Sequence, residues 1–228
     1  MGAVITSAHN PKLRLIHRLL ESRRQREKEG LFVVEGEDLV QAADDAGIEP
    51  VELLRAGEDI EPEVLAKVST MAHPPRVMGI YRRESLPRGV EPVSLALWHV
   101  ADPGNIGTIL RTADAFGASV ALSPGCADPT GPKALRASAG AVFRVPLAGF
   151  DEPSGTRVAL VSHDGRPLAE LEPSVPVTYV LGAERAGLPD EVVAACDETA
   201  TIPLSPGAES LNVAVAGAIA LYEHRRGR

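Results

Sequence analysis

Three glycine-bearing segments hold the residues best placed to do chemistry. They are Asp102-Pro103-Gly104-Asn105-Ile106-Gly107, Leu181-Gly182-Ala183-Glu184-Arg185-Ala186-Gly187-Leu188 and Ile202-Pro203-Leu204-Ser205-Pro206-Gly207. Each follows an apolar run that reads as a strand, and in open α/β sheets ligands bind beyond the carboxyl ends of strands. Glycine lets a backbone approach a flat ligand and present its N–H and C=O groups. A tight turn accounts for any one of the three loops; together they could form one pocket. Arg111 lies among Ile109, Leu110, Ala113 and Phe116 on a helix, where it must reach water, pair or serve a ligand. Glu184 sits in a loop, free to bond polar groups. Ser210 stands where it would cap the last helix, with Asn212 in the first turn.

Other chemistries lose support from the same sequence. No GxGxxG or GxxxxGK marks a classical dinucleotide or nucleoside triphosphate site. No GxSxG elbow supports a hydrolase. The six histidines show no metal spacing, so no metal site is expected. The two cysteines, Cys126 and Cys196, form no CxxC pair and suggest a reducing, cytoplasmic setting. The start of the chain lacks the basic flank and long apolar stretch of a signal peptide. No apolar run approaches the roughly 20 residues that span a bilayer, so no membrane partner is expected.

The elements that must position these loops alternate between strand and helix. In the first part, Asn10-Pro11 opens a helix carrying Leu13, Ile16 and Leu20. Strands are expected at Leu31–Val34, Val51–Leu54 and Val77–Tyr81, with helices after Gly36 and over Pro62–Ser69. Arg82–Pro92 is polar, holds Pro87, Gly89 and Pro92, and reads as a linker. The second part predicts strands at Val93–Val100, Ala118–Leu122, Val158–Ser162, Val177–Leu181 and Thr199–Ile202. Helices are predicted at Asn105–Phe116, Lys133–Ser138, Pro189–Ala195 and Leu211–His224. Leu211, Val215, Ala218 and Tyr222 share a stripe of the last helix. The expected organisation is therefore a small α/β domain over 1–81, a linker over 82–92, and a larger α/β domain over 93–228. The larger one has a mainly parallel sheet with helices on both faces.

The net charge of the 228 residues is −8, which lowers the odds of a polyanionic partner. The distribution qualifies this. Residues 1–30 hold seven Lys/Arg against three acids, and a local patch is what a polyanion meets. Arg14, Arg18, Arg23, Arg24 and Arg26 are the candidate contacts to such a polyanion, a solvated helix face being the alternative.

The segment Asp102–Gly117 resembles the first motif of the SpoU/TrmH RNA methyltransferases. Leu181–Leu188 resembles their second motif, with Arg185 in place of a usual glycine. Ile202-Pro203-Leu204 together with Ser210–Ala216 and Leu221-Tyr222-Glu223 resembles the third, and Lys133–Ala141 a further family stretch. Ile5-Thr6-Ser7, Asn10-Pro11 and Phe32–Gly36 resemble the small substrate-binding domain that often precedes the catalytic one. The resemblance implies a trefoil-knotted C-terminal α/β domain, S-adenosylmethionine as cofactor, and a homodimer with its active site near the subunit interface. It implies methyl transfer to a ribose 2′-hydroxyl, of ribosomal RNA rather than transfer RNA. By motif position, Gly182, Ile202 and Leu211 would line the cofactor site, and Asn105, Arg111, Glu184, Ser210 and Asn212 would be catalytic. Arg111 is the family's proposed base, and a positioning role for it stands equally. The alternative function is a non-catalytic RNA-binding protein that retains the fold.

Overall fold

The computed structural model describes residues 4–226. Residues 1–3 and 227–228, at which the two expected domains begin and end, lie outside the described residues. The first part runs α1 (Pro11–Glu21), α2 (Arg23–Glu29), β1 (Leu31–Glu35), α3 (Glu37–Asp45), β2 (Glu52–Arg55), α4 (Pro62–Ala66) and β3 (Val77–Arg82). Its sheet is antiparallel, in the order β1-β3-β2. Asn10 caps α1 as expected, its Oδ1 accepting from the Lys12 amide at 2.9 Å. Ser22 then breaks the helical run in extended backbone and caps α2 with its side chain. The basic segment is thus two helices broken at Ser22 rather than one continuous helix.

Side-chain alternation along β1 divides the first sheet between two cores. Val33 faces Leu13, Ile16 and Leu19 of α1 together with Leu65 of α4. Phe32 and Val34 face the opposite way and join the core of the second part. There Phe32, Tyr81 and Phe143 form a triangle with ring centroids 5.9, 6.2 and 6.4 Å apart. Offset aromatic pairs at such spacings add to simple area burial. Burial pushes the Tyr81 phenol up to about 12, consistent with a dry seam.

The second part runs β4 (Val93–Leu97), α5 (Pro103–Phe116), β5 (Ser119–Leu122), α6 (Pro132–Ser138), β6 (Leu147–Gly149), β7 (Thr156–Val161), β8 (Arg166–Pro167), β9 (Val177–Leu181), α7 (Asp190–Ala194), β10 (Glu198–Thr201) and α8 (Val213–Arg226). All seven strands are parallel, in the order β6-β5-β4-β9-β7-β10-β8. Both faces are covered, as parallel sheets require. Leu95, Leu97 and Val120 pack under α5 and α8 on one face, while Ala96, Ala121 and Val180 meet Phe150 and Val192 on the other. Gly107 lets α5 lie against α6, because a Cβ there would come within 2.5 Å of the Ala134 carbonyl and of the Ala137 Cβ.

The segment expected as a linker is docked. Leu86 is buried, Arg83 reaches the second part, and Arg88 forms a β-bridge with Leu147. The largest correction concerns Arg26, expected on an RNA-facing surface. It is 5% exposed, and its Nε donates to Asp128 Oδ2 at 2.7 Å while Nη1 donates to the Leu19 carbonyl at 2.6 Å. A guanidinium desolvated among fixed acceptors fastens the seam and is not offered to RNA. Arg23 is also engaged, with Glu27 and the Cys126 carbonyl. Arg14, Arg18 and Arg24 stay exposed. A second fastening joins Glu35 to Ser69, Thr70 and, at 3.4 Å, Arg136 of α6.

Candidate functional site

Because the strands of the large sheet are parallel, the loops after β4, β9 and β10 emerge at one edge. Asp102 starts the first of these sites. Its Oδ1 accepts from the amides of Gly104 at 2.6 Å and Asn105 at 3.2 Å, capping α5, and its Oδ2 accepts from Lys133 Nζ at 3.0 Å. The Lys133 ammonium and these amides hold its pKa below the usual carboxylate value despite slight desolvation. The cap fixes where Asn105 begins its side chain, in the first turn of α5.

Three predicted residues then meet. Asn105 Nδ2 donates to Glu184 Oε1 at 2.9 Å, and Asn212 Nδ2 donates to Asn105 Oδ1 at 2.9 Å. The other end of Asn212 caps α8, its Oδ1 accepting from the amides of Ala214 and Val215. A directed relay therefore runs from the start of α8 through Asn105 to the Glu184 carboxylate. Every amide end in it has a partner, so the orientation of Asn105 is set. Burial alone would raise the Glu184 pKa, but the bond from Asn105 and the amides of Glu184, Asp102 and Ala101 outweigh it and lower the value. Glu184 is thus an ionised acceptor near neutrality.

The cap of α8 corrects the sequence reading. Asn212, not Ser210, is the capping residue, and α8 begins at Val213 rather than Leu211. Ser210 is exposed on the cleft wall and makes no hydrogen bond among the described residues. Arg111 stands apart from the relay. Six residues after Asn105, it lies about 9 Å further along the helix axis. It is exposed, and its side chain makes no hydrogen bond or ion pair among the described residues. Asp102 and Lys133, which support the site, are not among the residues the sequence marks as functional. An Asp before Pro-Gly at a helix start was the available signal.

Beside Glu184 lies a cleft of about 700 Å³, lined by Leu181–Leu188, Ile202, Leu204, Ser210 and Leu211. It contains all three residues expected at a cofactor site, Gly182, Ile202 and Leu211. Apolar walls from Leu160, Leu181, Leu188 and Leu204 give way to a polar rim of His163, Arg185 and Glu209. That mix and size suit a drug-sized ligand with a flat ring and a charged tail, as S-adenosylmethionine is. The Ala183 and Gly187 backbones bond reciprocally at 3.1 and 2.9 Å, folding the loop into a tight hairpin with Arg185 near its tip. Gly182 packs flat against this hairpin, where a Cβ would lie 2.2 Å from the Gly187 carbonyl carbon. Gly182→Ala should displace backbone, cost about 1–3 kcal/mol and remove cofactor affinity. Calorimetric titration paired with a thermal melt checks this, and wild-type affinity in the variant would refute the close approach.

Among the described residues no group of three or more His, Cys, Asp or Glu is placed to hold a metal ion, and no helix is long and apolar enough to cross a membrane. A parallel α/β sheet with glycine loops gathered round one cleft, preceded by a small antiparallel unit, defines the class: a ligand-binding α/β protein with an accessory domain. The profile of the SpoU rRNA Methylase family matches residues 92–222, and that of the MRM3-like substrate binding domain matches residues 10–77. The chain belongs to the SpoU rRNA Methylase family. It is 32% identical over 247 residues to a Bacillus subtilis 23S rRNA (guanosine(2553)-2′-O)-methyltransferase, RlmP, covering 98% of this chain and 99% of that protein. The AdoMet-bound rRNA methyltransferase from Sinorhizobium meliloti superposes with a TM-score of 0.88 at 30% identity, covering 99% of this chain and 98% of the other. A structure concerned with 2-OH methylation of C/U34 on tRNA matches 60% of this chain and 97% of its own, at 32% identity and TM-score 0.55.

Proposed function

We propose that this chain transfers a methyl group from S-adenosylmethionine to a ribose 2′-hydroxyl of ribosomal RNA. The observation that carries the proposal is the Asn212–Asn105–Glu184 relay, which ties three strand-end loops together beside the 700 Å³ cleft. The lean toward ribosomal RNA rests on the accessory unit. The RlmP relative spans both parts of the chain, whereas the tRNA-related structure matches only about the share that the larger part occupies.

Gly182, Ile202 and Leu211 would hold the cofactor, which when bound supplies an electrophilic methyl group on a sulfonium. A ribose hydroxyl is a weak nucleophile at neutral pH and must lose its proton as it attacks. Glu184, ionised and already accepting from Asn105 and two backbone amides, orients Asn105 rather than taking that proton. Asn105 and Asn212 shape the floor on which the ribose sits, and Ser210 offers a free hydroxyl at its edge. Arg111 presents a planar fork of N–H donors. Its role is to grip the neighbouring phosphate and donate to the 2′-oxygen, favouring the charge that develops there.

The protein acts as a homodimer in this reading. Leu211, Val215 and Tyr222 are 37, 46 and 55% exposed, and Val215 and Tyr222 form an apolar stripe along α8 beside the helix that bears Arg111. Covering it with a second copy brings that copy's residues near the site. Light scattering should give twice the 24.0 kDa of the chain. A monomer at micromolar concentration would overturn the assembly. The family reading also carries the trefoil knot, formed around the cleft loops, and a cytoplasmic location. The function itself is tested by incubating the protein and radiolabelled S-adenosylmethionine with ribosomal RNA from a strain lacking the gene, then mapping 2′-O-methylation. One ribose should gain the label; label in transfer RNA alone would refute the substrate class, and none in either would refute the activity.

A further inference from the structure

A second cleft of about 270 Å³ opens at the seam between the two parts. Leu122 at the end of β5 and Gly149 at the end of β6 both line it. It therefore shares the carboxyl edge of the sheet with the Asp102 and Glu184 loops. Strands lie about 4.8 Å apart, so its near wall is one strand over from β4. A strand of RNA crossing the relay toward β5 would meet this cleft next.

Three arginines from two segments line it: Arg23 of α2, and Arg83 and Arg88 of the docked segment. Arg23 is anchored by the Cys126 carbonyl at 2.6 Å and Glu27 at 2.7 Å. Arg83 is anchored through Nη1 by Asp128 at 3.0 Å and by Thr130. A guanidinium has five N–H donors, so both keep donors in reserve at fixed positions. Arg88 is exposed, and its side chain makes no hydrogen bond or ion pair among the described residues. Glu152, the carboxylate that lines the cleft, accepts from the Gly149 amide at 2.8 Å. Planar guanidinium forks match phosphate oxygens, and pre-positioned ones lose little freedom on binding.

We propose that this cleft binds a phosphodiester of the substrate RNA next to the methylated nucleotide, with Arg88 as the principal contact and Arg23 and Arg83 as pre-set donors. The proposal rests on the RNA-methylation reading and moves the RNA footprint from the outer face of α1 and α2 to the seam. Arg88→Glu tests it without touching the relay or the cofactor cleft. Arg166→Glu is the charge-matched control, since Arg166 is exposed on β8 at the opposite edge of the sheet and its pair with Glu198 is worth little. Binding of a fluorescein-labelled ribosomal RNA fragment is read by anisotropy between about 50 and 200 mM salt.

Arg88→Glu should weaken RNA binding about tenfold, the loss of one charge-assisted contact, and flatten the log–log salt slope by about one. Cofactor affinity and Tm should stay at wild-type values, and Arg166→Glu should change RNA affinity by less than about twofold. Equal weakening by both variants would reduce the effect to general charge and overturn the proposal, as would unchanged RNA affinity in Arg88→Glu. Loss of inorganic phosphate binding with RNA affinity intact would assign the cleft to free anions and overturn it too. Methyl transfer is measured separately. An Arg88-dependent RNA affinity in a protein that transfers no methyl group would sink the activity and uphold the cleft.

Discussion

Asp128→Ala should destabilise the protein more than any exposed substitution, by about 3–5 kcal/mol or roughly 10 °C in Tm. Asp128 is 6% exposed and receives Arg26 Nε at 2.7 Å and Arg83 Nη1 at 3.0 Å, together with the Thr130 amide and hydroxyl. Removing it leaves the buried Arg26 charge without a counter-ion, which is far costlier than losing a surface pair. The double variant Arg26→Met/Asp128→Ala should recover part of the loss, since it removes both buried charges. Burial pushes the Asp128 carboxyl up, but the Arg83 charge and the Arg26 and Thr130 bonds more than offset it, so its pKa is lowered. The sign follows from linkage. The stabilisation is present above the unfolded value near 3.8 and drains away as pH falls through the lower folded value. Thermal melts across acidic pH should show a steeper loss in wild type than in Asp128→Asn. Parallel curves, or a Tm within about 2 °C of wild type for Asp128→Ala, would show that the seam does not depend on this group.

That seam is also the part of the fold least legible in the sequence. Helical and strand periodicity located most of the elements within a few residues, because each has one face committed to a core. Val177–Leu181 matches the observed β9, and the Asn10 cap is where the sequence places it. The two-residue β8 and three-residue β6 were not legible, since so short a strand carries no period. Arg26 escapes the sequence for a different reason. Its neighbours Arg23, Arg24 and Lys28 are charged, and local charge density carries no sign that Asp128, 102 residues away, will bury one member of the run. Only the tertiary arrangement separates a fastening arginine from a solvated one. The site was more legible. Residue type and motif position mark Asn105, Glu184 and Asn212 one by one, but their hydrogen-bond relay depends on three strand ends meeting, which no spacing along the chain reveals.

Arg111→Ala should lower methyl transfer by at least about a thousandfold while leaving Tm and S-adenosylmethionine affinity unchanged. The structure makes this a clean separation. The guanidinium is exposed and holds nothing together among the described residues, so a loss of activity cannot be charged to unfolding. Ile106, Ile109, Leu110 and Ala113 anchor α5 from its other face. Lysine should rescue poorly, because a single ammonium cannot hold a phosphate and the 2′-oxygen with one planar fork. The distance of about 9 Å along the helix between Arg111 and Asn105 raises a sharper test of the dimer. If the stripe on α8 joins two copies, a site can combine the relay of one protomer with Arg111 of its partner. Mixing inactive Arg111→Ala with inactive Asn105→Ala should then restore activity, up to about a quarter of the wild-type specific rate. In the mixed dimer that random exchange yields half the time, one of two sites keeps both groups intact. A mixture that remains dead, although subunit exchange is seen by fluorescence energy transfer, would place Arg111 and the relay in the same protomer. Near wild-type turnover in Arg111→Ala alone would remove the residue from the mechanism altogether.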